Sequence, residues 1–156
     1  MSETNVIVVD TREQKNHVTK YLDQHDIPNV RSKLFVGDYA ILCDQSVAVD
    51  RKQHLLEVCN NVTQQHIRFR NELLRAQEAG IHLIILVEHG HGIETIEDVR
   101  SWVNPRLKKS PLALSGPALY VRMKSIAAKY GIEWKFCEKH DTGWTVCELL
   151  GVEIPK

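Results

Sequence analysis

A chain of 156 residues, 43% hydrophobic and 26% charged, has the size and composition of one globular domain with one core, which excludes disordered and fibrous architectures. Its formal net charge of zero argues against a histone-like binder held on nucleic acid by bulk positive charge. The first ten residues carry no basic leader and an apolar run of only Val6 to Val9, which predicts no signal peptide, no membrane span and a cytoplasmic protein, with the nucleus left open.

In chain order, Asn5 to Val9 is a short β-branched run and reads as a buried strand. Lys15 to Gln24 places Val18, Tyr21 and Leu22 at helical spacing, and Pro28 stops that helix. Three short extended stretches follow, near Asn29 to Lys33, Tyr39 to Cys43 and Val47 to Asp50, parted by turns at Gly37-Asp38 and Asp44-Gln45-Ser46. Leu55 to Val62 and Ile67 to Ala79 read as helices, the second lined by Phe69, Leu73 and Ala76 and capped by Gly80.

Ile81 to Val87 is almost continuously apolar, as a central strand covered on both faces should be. Thr95 to Val103 reads as a capped short helix, and Asn104 to Ser115 as a loop containing Pro and Lys. Ser115-Gly116-Pro117 opens a long helix with Leu119, Met123, Ile126, Ala127 and Tyr130 on one face, closed by Gly131. A strand, Glu133 to Cys137, and a helix, Thr142 to Leu150, complete the order. The expected fold is α/β, a central mixed sheet with helices on both faces in three layers, forming a single domain over residues 1–156.

Cys43, Cys59, Cys137 and Cys147 form no Cys-x-x-Cys pair and read as reduced thiols rather than a zinc site or a disulfide framework. His89-Gly90-His91 lacks partner ligands at useful spacing and reads as a solvated loop. Charge is unevenly distributed: residues 1–99 hold 10 Lys/Arg against 15 Asp/Glu, while residues 100–139 hold 9 against 2. Either a carboxylate site faces a phosphate-binding surface, or folding intermixes ordinary surface charge.

The stretch Val49-Asp50-Arg51-Lys52 ends a strand on three charges. Side chains alternate along a strand, so Asp50 and Lys52 share one face and Arg51 takes the other. Asp38, in the turn before a neighbouring strand, adds a second carboxylate to the Asp50 face. Paired carboxylates repel one another and attract a hard divalent cation such as Mg²⁺ or Mn²⁺, and a lysine beside them can orient a water and stabilise phosphorane-like charge. The competing reading of the triplet is a solvated strand terminus.

Val8-Val9-Asp10-Thr11-Arg12-Glu13, Val36-Gly37-Asp38-Tyr39, Val49-Asp50-Arg51-Lys52, Arg68-Phe69 and Leu83-Ile84-Ile85-Leu86-Val87-Glu88 occur in the order seen in the nuclease domain of the XPF endonucleases. The chain resembles that family over roughly residues 5–150. The resemblance implies a restriction-endonuclease-like fold and Mg²⁺- or Mn²⁺-dependent cleavage of branched or junction DNA. It also implies metal ligands at Asp38 and Asp50, a water-organising Lys52, a supporting Arg51, and a further contribution from Asp10 and Glu13, with Asp10 on the metal side.

Asp10 and Glu13 also have capping-box spacing, so Glu13 is read as either cap or site residue. The sequence departs from the family pattern twice. Asp50 stands where the family has glutamate, and Leu56 stands where it has a further aspartate, with Glu57 beside it. Candidate DNA contacts are Arg68, Arg70, Lys108, Lys109, Arg122 and Lys124. Arg68 also has Glu72 at i+4, the spacing of a surface pair. The resemblance further implies a homodimer through the nuclease domain, in a stand-alone form without helix-hairpin-helix modules. Alternative readings are a non-catalytic DNA-binding module on the same fold and a resolvase or restriction-type nuclease.

Overall fold

The structure, a computed structural model, describes residues 5–155, so the leader reading of residues 1–4 lies outside it. Six strands are present among these residues: β1 (Ile7–Val9), β2 (Asn29–Arg31), β3 (Tyr39–Ile41), β4 (Asp44–Lys52), β5 (His82–Glu88) and β6 (Glu133–Cys137). Five α-helices accompany them: α1 (His17–Gln24), α2 (Leu55–Val62), α3 (His66–Glu78), α4 (Gly116–Tyr130) and α5 (Thr142–Leu150). No helix among the described residues is long and apolar enough to cross a membrane.

The sheet runs in the order β2-β1-β3-β4-β5-β6. β3 is antiparallel to both β1 and β4, while the β1–β2, β4–β5 and β5–β6 pairs are parallel. Alternation along β5 divides the core between two faces. Leu83, Ile85 and Val87 point into a cluster with Leu55, Val58, Phe69, Leu73, Leu119 and Met123 from α2, α3 and α4. Ile84 and Leu86 point the other way, into Val18, Leu22, Val146 and Cys147 from α1 and α5. The three-layer arrangement expected from the element order is therefore present. α5 approaches α1 through Gly143, where a Cβ would sit 2.4 Å from the Tyr21 ring.

Three local expectations change. The turn expected at Asp44-Gln45-Ser46 falls instead at Leu42-Cys43, and Asp44 to Ser46 belong to β4. The local chemistry is real, since Asp44 Oδ1 accepts from the Ser46 amide at 3.1 Å, but it serves a register shift. Ala40 faces Ala48 whereas Ile41 faces Asp44, so β4 bulges between them. α1 begins at His17 rather than Lys15. The short helix after Thr95 is 3-10, Ile96–Ser101, started by a Thr95–Asp98 capping box. The four cysteines are free thiols, with Cys59 and Cys147 buried.

Candidate active site

The end of β4 keeps the predicted alternation. Asp50 and Lys52 emerge on the α3 side, with Lys52 Nζ 3.0 Å from Asp50 Oδ2 and 5.6 Å from the centre of the Phe69 ring. Arg51 emerges on the α1 and α5 side. Asp38 is brought to Asp50 by backbone geometry. Gly37 has φ +79°, and a Cβ there would lie 3.1 Å from both Ala48 Cβ and Val49 O, so the chain reaches β4 closely only with glycine. Asp38 N then donates to Val49 O at 2.8 Å and Asp38 O accepts from Asp10 N at 2.8 Å. Asp38 Oδ2 accepts from the Arg51 amide at 2.8 Å.

The carboxyl of Asp50 interacts with those of Asp38 and of Glu72, from α3. Burial raises the Asp38 pKa well above the carboxylate range, and the Asp50 charge raises it further. Asp50 stays low; burial would raise it, but the Lys52 ammonium and the neighbouring carboxyl groups outweigh that effect. Glu72 is pushed up to about 7 by burial and then by Asp50. Burial works against charge on Lys52, yet Asp50, Glu72 and Glu57 hold it firmly as an ammonium.

Glu72 was not among the expected site residues. Its i+4 spacing from Arg68 pointed to a surface pair, but no ion pair within 4.0 Å joins them among the described residues, and Glu72 turns to Asp50 and Lys52. A signal was present in the helix pattern: Glu72 follows buried Phe69 by three residues and precedes buried Ala76 by four, which places it along the edge of the buried stripe.

On the opposite face of β4 lies a buried ion network. Arg51 forks onto Glu13 with two hydrogen bonds of 2.8 Å and reaches Glu88 at 2.5 Å. Tyr39 donates to Glu13 at 2.9 Å. Glu88 bonds His17 at 2.5 Å and also receives the Thr142 hydroxyl. Asp10 is bound by Arg12 Nε at 2.8 Å and by the Leu34 amide at 2.7 Å. Neither Asp10 nor Glu13 caps a helix, because α1 starts at His17 behind the cap residue Asn16. Capping occurs at α2 instead, where His54 accepts from the Glu57 amide and Glu57 accepts from Gln53 N at 2.8 Å.

A cleft of about 910 Å³ opens over Asp38, Asp50, Lys52 and Glu72, with Asp10, Arg12 and Glu13 at its β1 side and Arg68 and Arg75 at its α3 side. Arg70, Lys108, Lys109, Arg122 and Lys124 do not line it. Arg122 donates to Val62 O at 3.0 Å, and Lys124 lies 3.8 Å from Glu97.

The donor set fits a hard divalent cation. Asp50 Oδ2 is buried without a hydrogen bond, the Lys52 ammonium being near it but not aligned to donate, and its neighbours are carboxylate oxygens. Asp38, Asp50 and Glu72 are more loosely spaced than Glu138, His140 and Asp141. Those three exposed groups have ligand atoms within 4.8 Å of one another, the one such group among the described residues, and they lie outside the cleft.

A mixed sheet with helices on both faces, whose interior strand β4 ends on acid-x-lysine in a charged cleft, is the build of the restriction-endonuclease-like fold. The chain belongs to the ERCC4 domain family, whose pattern it matches over residues 9–148. Two solved structures are similar to it: XPF from Aeropyrum pernix, at 21% identity and TM-score 0.65, and XPF from Aeropyrum pernix in complex with DNA, at 21% identity and TM-score 0.66. The matches cover 97% and 94% of this chain but 65% and 64% of those chains. No curated protein sequence matches.

Proposed function

We propose that this protein is a divalent-cation-dependent endonuclease that hydrolyses phosphodiester bonds in branched or junction DNA. The observation that carries the reading is the meeting of Asp38, Asp50 and Lys52 at the end of β4 inside the cleft. Membership of the ERCC4 domain family supports it, as does the DNA complex of the similar Aeropyrum pernix XPF.

Asp38 and Asp50 would hold Mg²⁺ or Mn²⁺. When bound, the ion supplies Lewis-acid polarisation of a phosphoryl oxygen and a lowered pKa for water. Lys52, held as an ammonium, donates hydrogen bonds to an attacking water or a non-bridging phosphate oxygen and offsets negative charge as it develops. The Arg51 side chain fixes the strand end from behind, while its amide orients Asp38. Asp10 holds Arg12 at the cleft wall, where Arg12 and Arg68 can take phosphates of the flanking strand. Arg70, Lys108, Lys109, Arg122 and Lys124 would act on more distant phosphates.

The test is cleavage of labelled flap, fork, four-way junction and linear duplex with Mg²⁺ or with EDTA. Branched substrates should be cut with Mg²⁺ alone, and Asp38→Asn or Lys52→Ala should lower the rate by about a hundredfold or more, the scale of losing one placed electrostatic group. Equal cutting by wild type and both variants rejects the assignment. Leu56 at the family's acidic position favours a second reading, a DNA-binding module without catalysis. Branched-DNA binding with neither cleavage nor calorimetric uptake of Mn²⁺ would establish it.

We also infer a homodimer formed through this domain. Trp144 on α5 is 51% exposed beside Phe136 and Ile93 in a second groove that also carries Glu94, Glu138 and Asp141, a mixed surface on which a partner could seat apolar and basic side chains. Sedimentation showing only monomer at micromolar concentration would remove the dimer from the proposal.

A further inference from the structure

We propose that Glu72 is a third carboxylate of the cation site, supplying from α3 the oxygen ligand that Leu56 cannot supply from α2. The inference rests on the reading of Asp38 and Asp50 as cation ligands and extends it to a residue that no motif marks.

The placement of α3 is the first support. Gln65, Arg68, Glu72 and Arg75 recur along one side of the helix and all line the cleft, as residues three and four apart must when one helical edge borders a groove. Within this row Glu72 reaches inward. Its neighbours Phe69 and Leu73 are buried, and its carboxyl contacts Asp50 and bears on Lys52. Glutamate is one methylene longer than aspartate, which suits a ligand arriving from a separate element.

The second support comes from α2. Leu56 does not line the cleft, and the acid beside it, Glu57, uses its Oε1 to accept from Gln53 N. Glu57 also lines the cleft and bears on Lys52, but its Oε1 is engaged at the helix start, a position that suits its charge on dipole grounds, and it is Glu72 that meets Asp50.

The third support is Asp50 itself. Its Oδ2 is buried and receives no aligned donor, although an ammonium lies 3.0 Å away. When Asp38, Asp50 and Glu72 are all ionised, as ligands of a cation must be, one ammonium does not balance them. An oxygen-rich, excess-negative site of this kind takes a divalent cation more readily as its ligand charge count rises. Glu72 thus contributes to cation affinity, not to a surface ion pair with Arg68.

The experiment is calorimetric titration of Mn²⁺ into the full chain without DNA, for wild type, Asp50→Asn, Glu72→Gln and Glu72→Asp. Electron paramagnetic resonance counts the bound ions, and near-UV circular dichroism confirms folding. Glu72→Gln is expected to weaken Mn²⁺ binding by about tenfold or more, since ligand charge sets affinity at oxygen sites, and Glu72→Asp to weaken it less. Wild-type affinity in Glu72→Gln alongside weakened Asp50→Asn overturns the role of Glu72 and leaves the cation site standing. Equal affinity in wild type and Asp50→Asn, or no Mn²⁺ uptake by wild type, removes the underlying site and this inference with it. If Glu72→Gln fails to fold, Glu72→Asp carries the comparison, and wild-type affinity there overturns the role.

Discussion

Arg51 serves the two faces of β4 with different atoms. Its amide binds Asp38 at 2.8 Å in the cleft, while its guanidinium lies on the other side between Glu13 and Glu88. Both carboxylates are buried, with side-chain exposures of 6% and 2%, so removing the guanidinium leaves them in the interior without the cation they share. Breaking a buried pair in this way costs about 3–5 kcal/mol, and Arg51→Met should lose that much in urea unfolding. Arg51→Lys keeps the charge but not the fork that meets both Glu13 oxygens, so its loss should be smaller. Because the cleft uses the amide alone, any folded fraction of Arg51→Met should still take up Mn²⁺. A loss below about 1 kcal/mol, the scale of an exposed pair, would show that the network carries no such weight.

At the scale of elements, the sequence was most legible where one periodicity governs the chain. Two-residue alternation put Asp50 with Lys52 and Arg51 opposite, and the structure keeps that division because β4 is buried on both faces at this end. The apolar run of β5 and the Ser115, Pro117 and Gly131 signals of α4 were equally direct: Ser115 accepts from Ala118 N, and Gly131 ends the helix at φ +69°. Where two local chemistries competed, tertiary structure chose between them. Asp44-Gln45-Ser46 has turn composition, yet the register shift against β3 absorbs it into a strand and leaves the turn to Leu42-Cys43. Asp10 and Glu13 have capping-box spacing, yet a buried arginine and an amide from the chain ahead of β3 claim their oxygens. Glu72 illustrates the limit most clearly. Its sequence neighbours suggested an i+4 pair, and its actual partners, Asp50 and Lys52, lie 22 and 20 residues back in the chain, beyond the reach of any local pattern.

Across the whole molecule, the carboxyls divide into groups that oppose one another as pH changes. Glu72 and Asp38 have raised pKa values, both chiefly by burial, Glu72 up to about 7. Between the ordinary glutamate value and about 7, the folded chain therefore binds more protons than the unfolded one, and stability must fall as pH rises through that window. Glu13 and Asp10 have lowered values, since Arg51 on one and Arg12 on the other outweigh burial. Their contribution is present above the unfolded carboxylate values and is lost as pH falls through the lower folded ones. Without divalent cation, urea stability should therefore peak on the acid side of neutrality and decline from about pH 5 to 7.5 by on the order of 2 kcal/mol, the linkage of a shift of this size discounted for partial exposure. Glu72→Gln removes one of the two raised carboxyls, so it should flatten the decline and be more stable than wild type at pH 7.5. Saturating Mg²⁺ should reverse the wild-type slope, because an ion that binds only the folded state stabilises it most where its carboxyls are ionised. A wild-type profile in EDTA that is flat or rising over this range, and unchanged by Glu72→Gln, would mean that the carboxyls of Asp38, Asp50 and Glu72 do not share the crowded site from which the catalytic proposal begins.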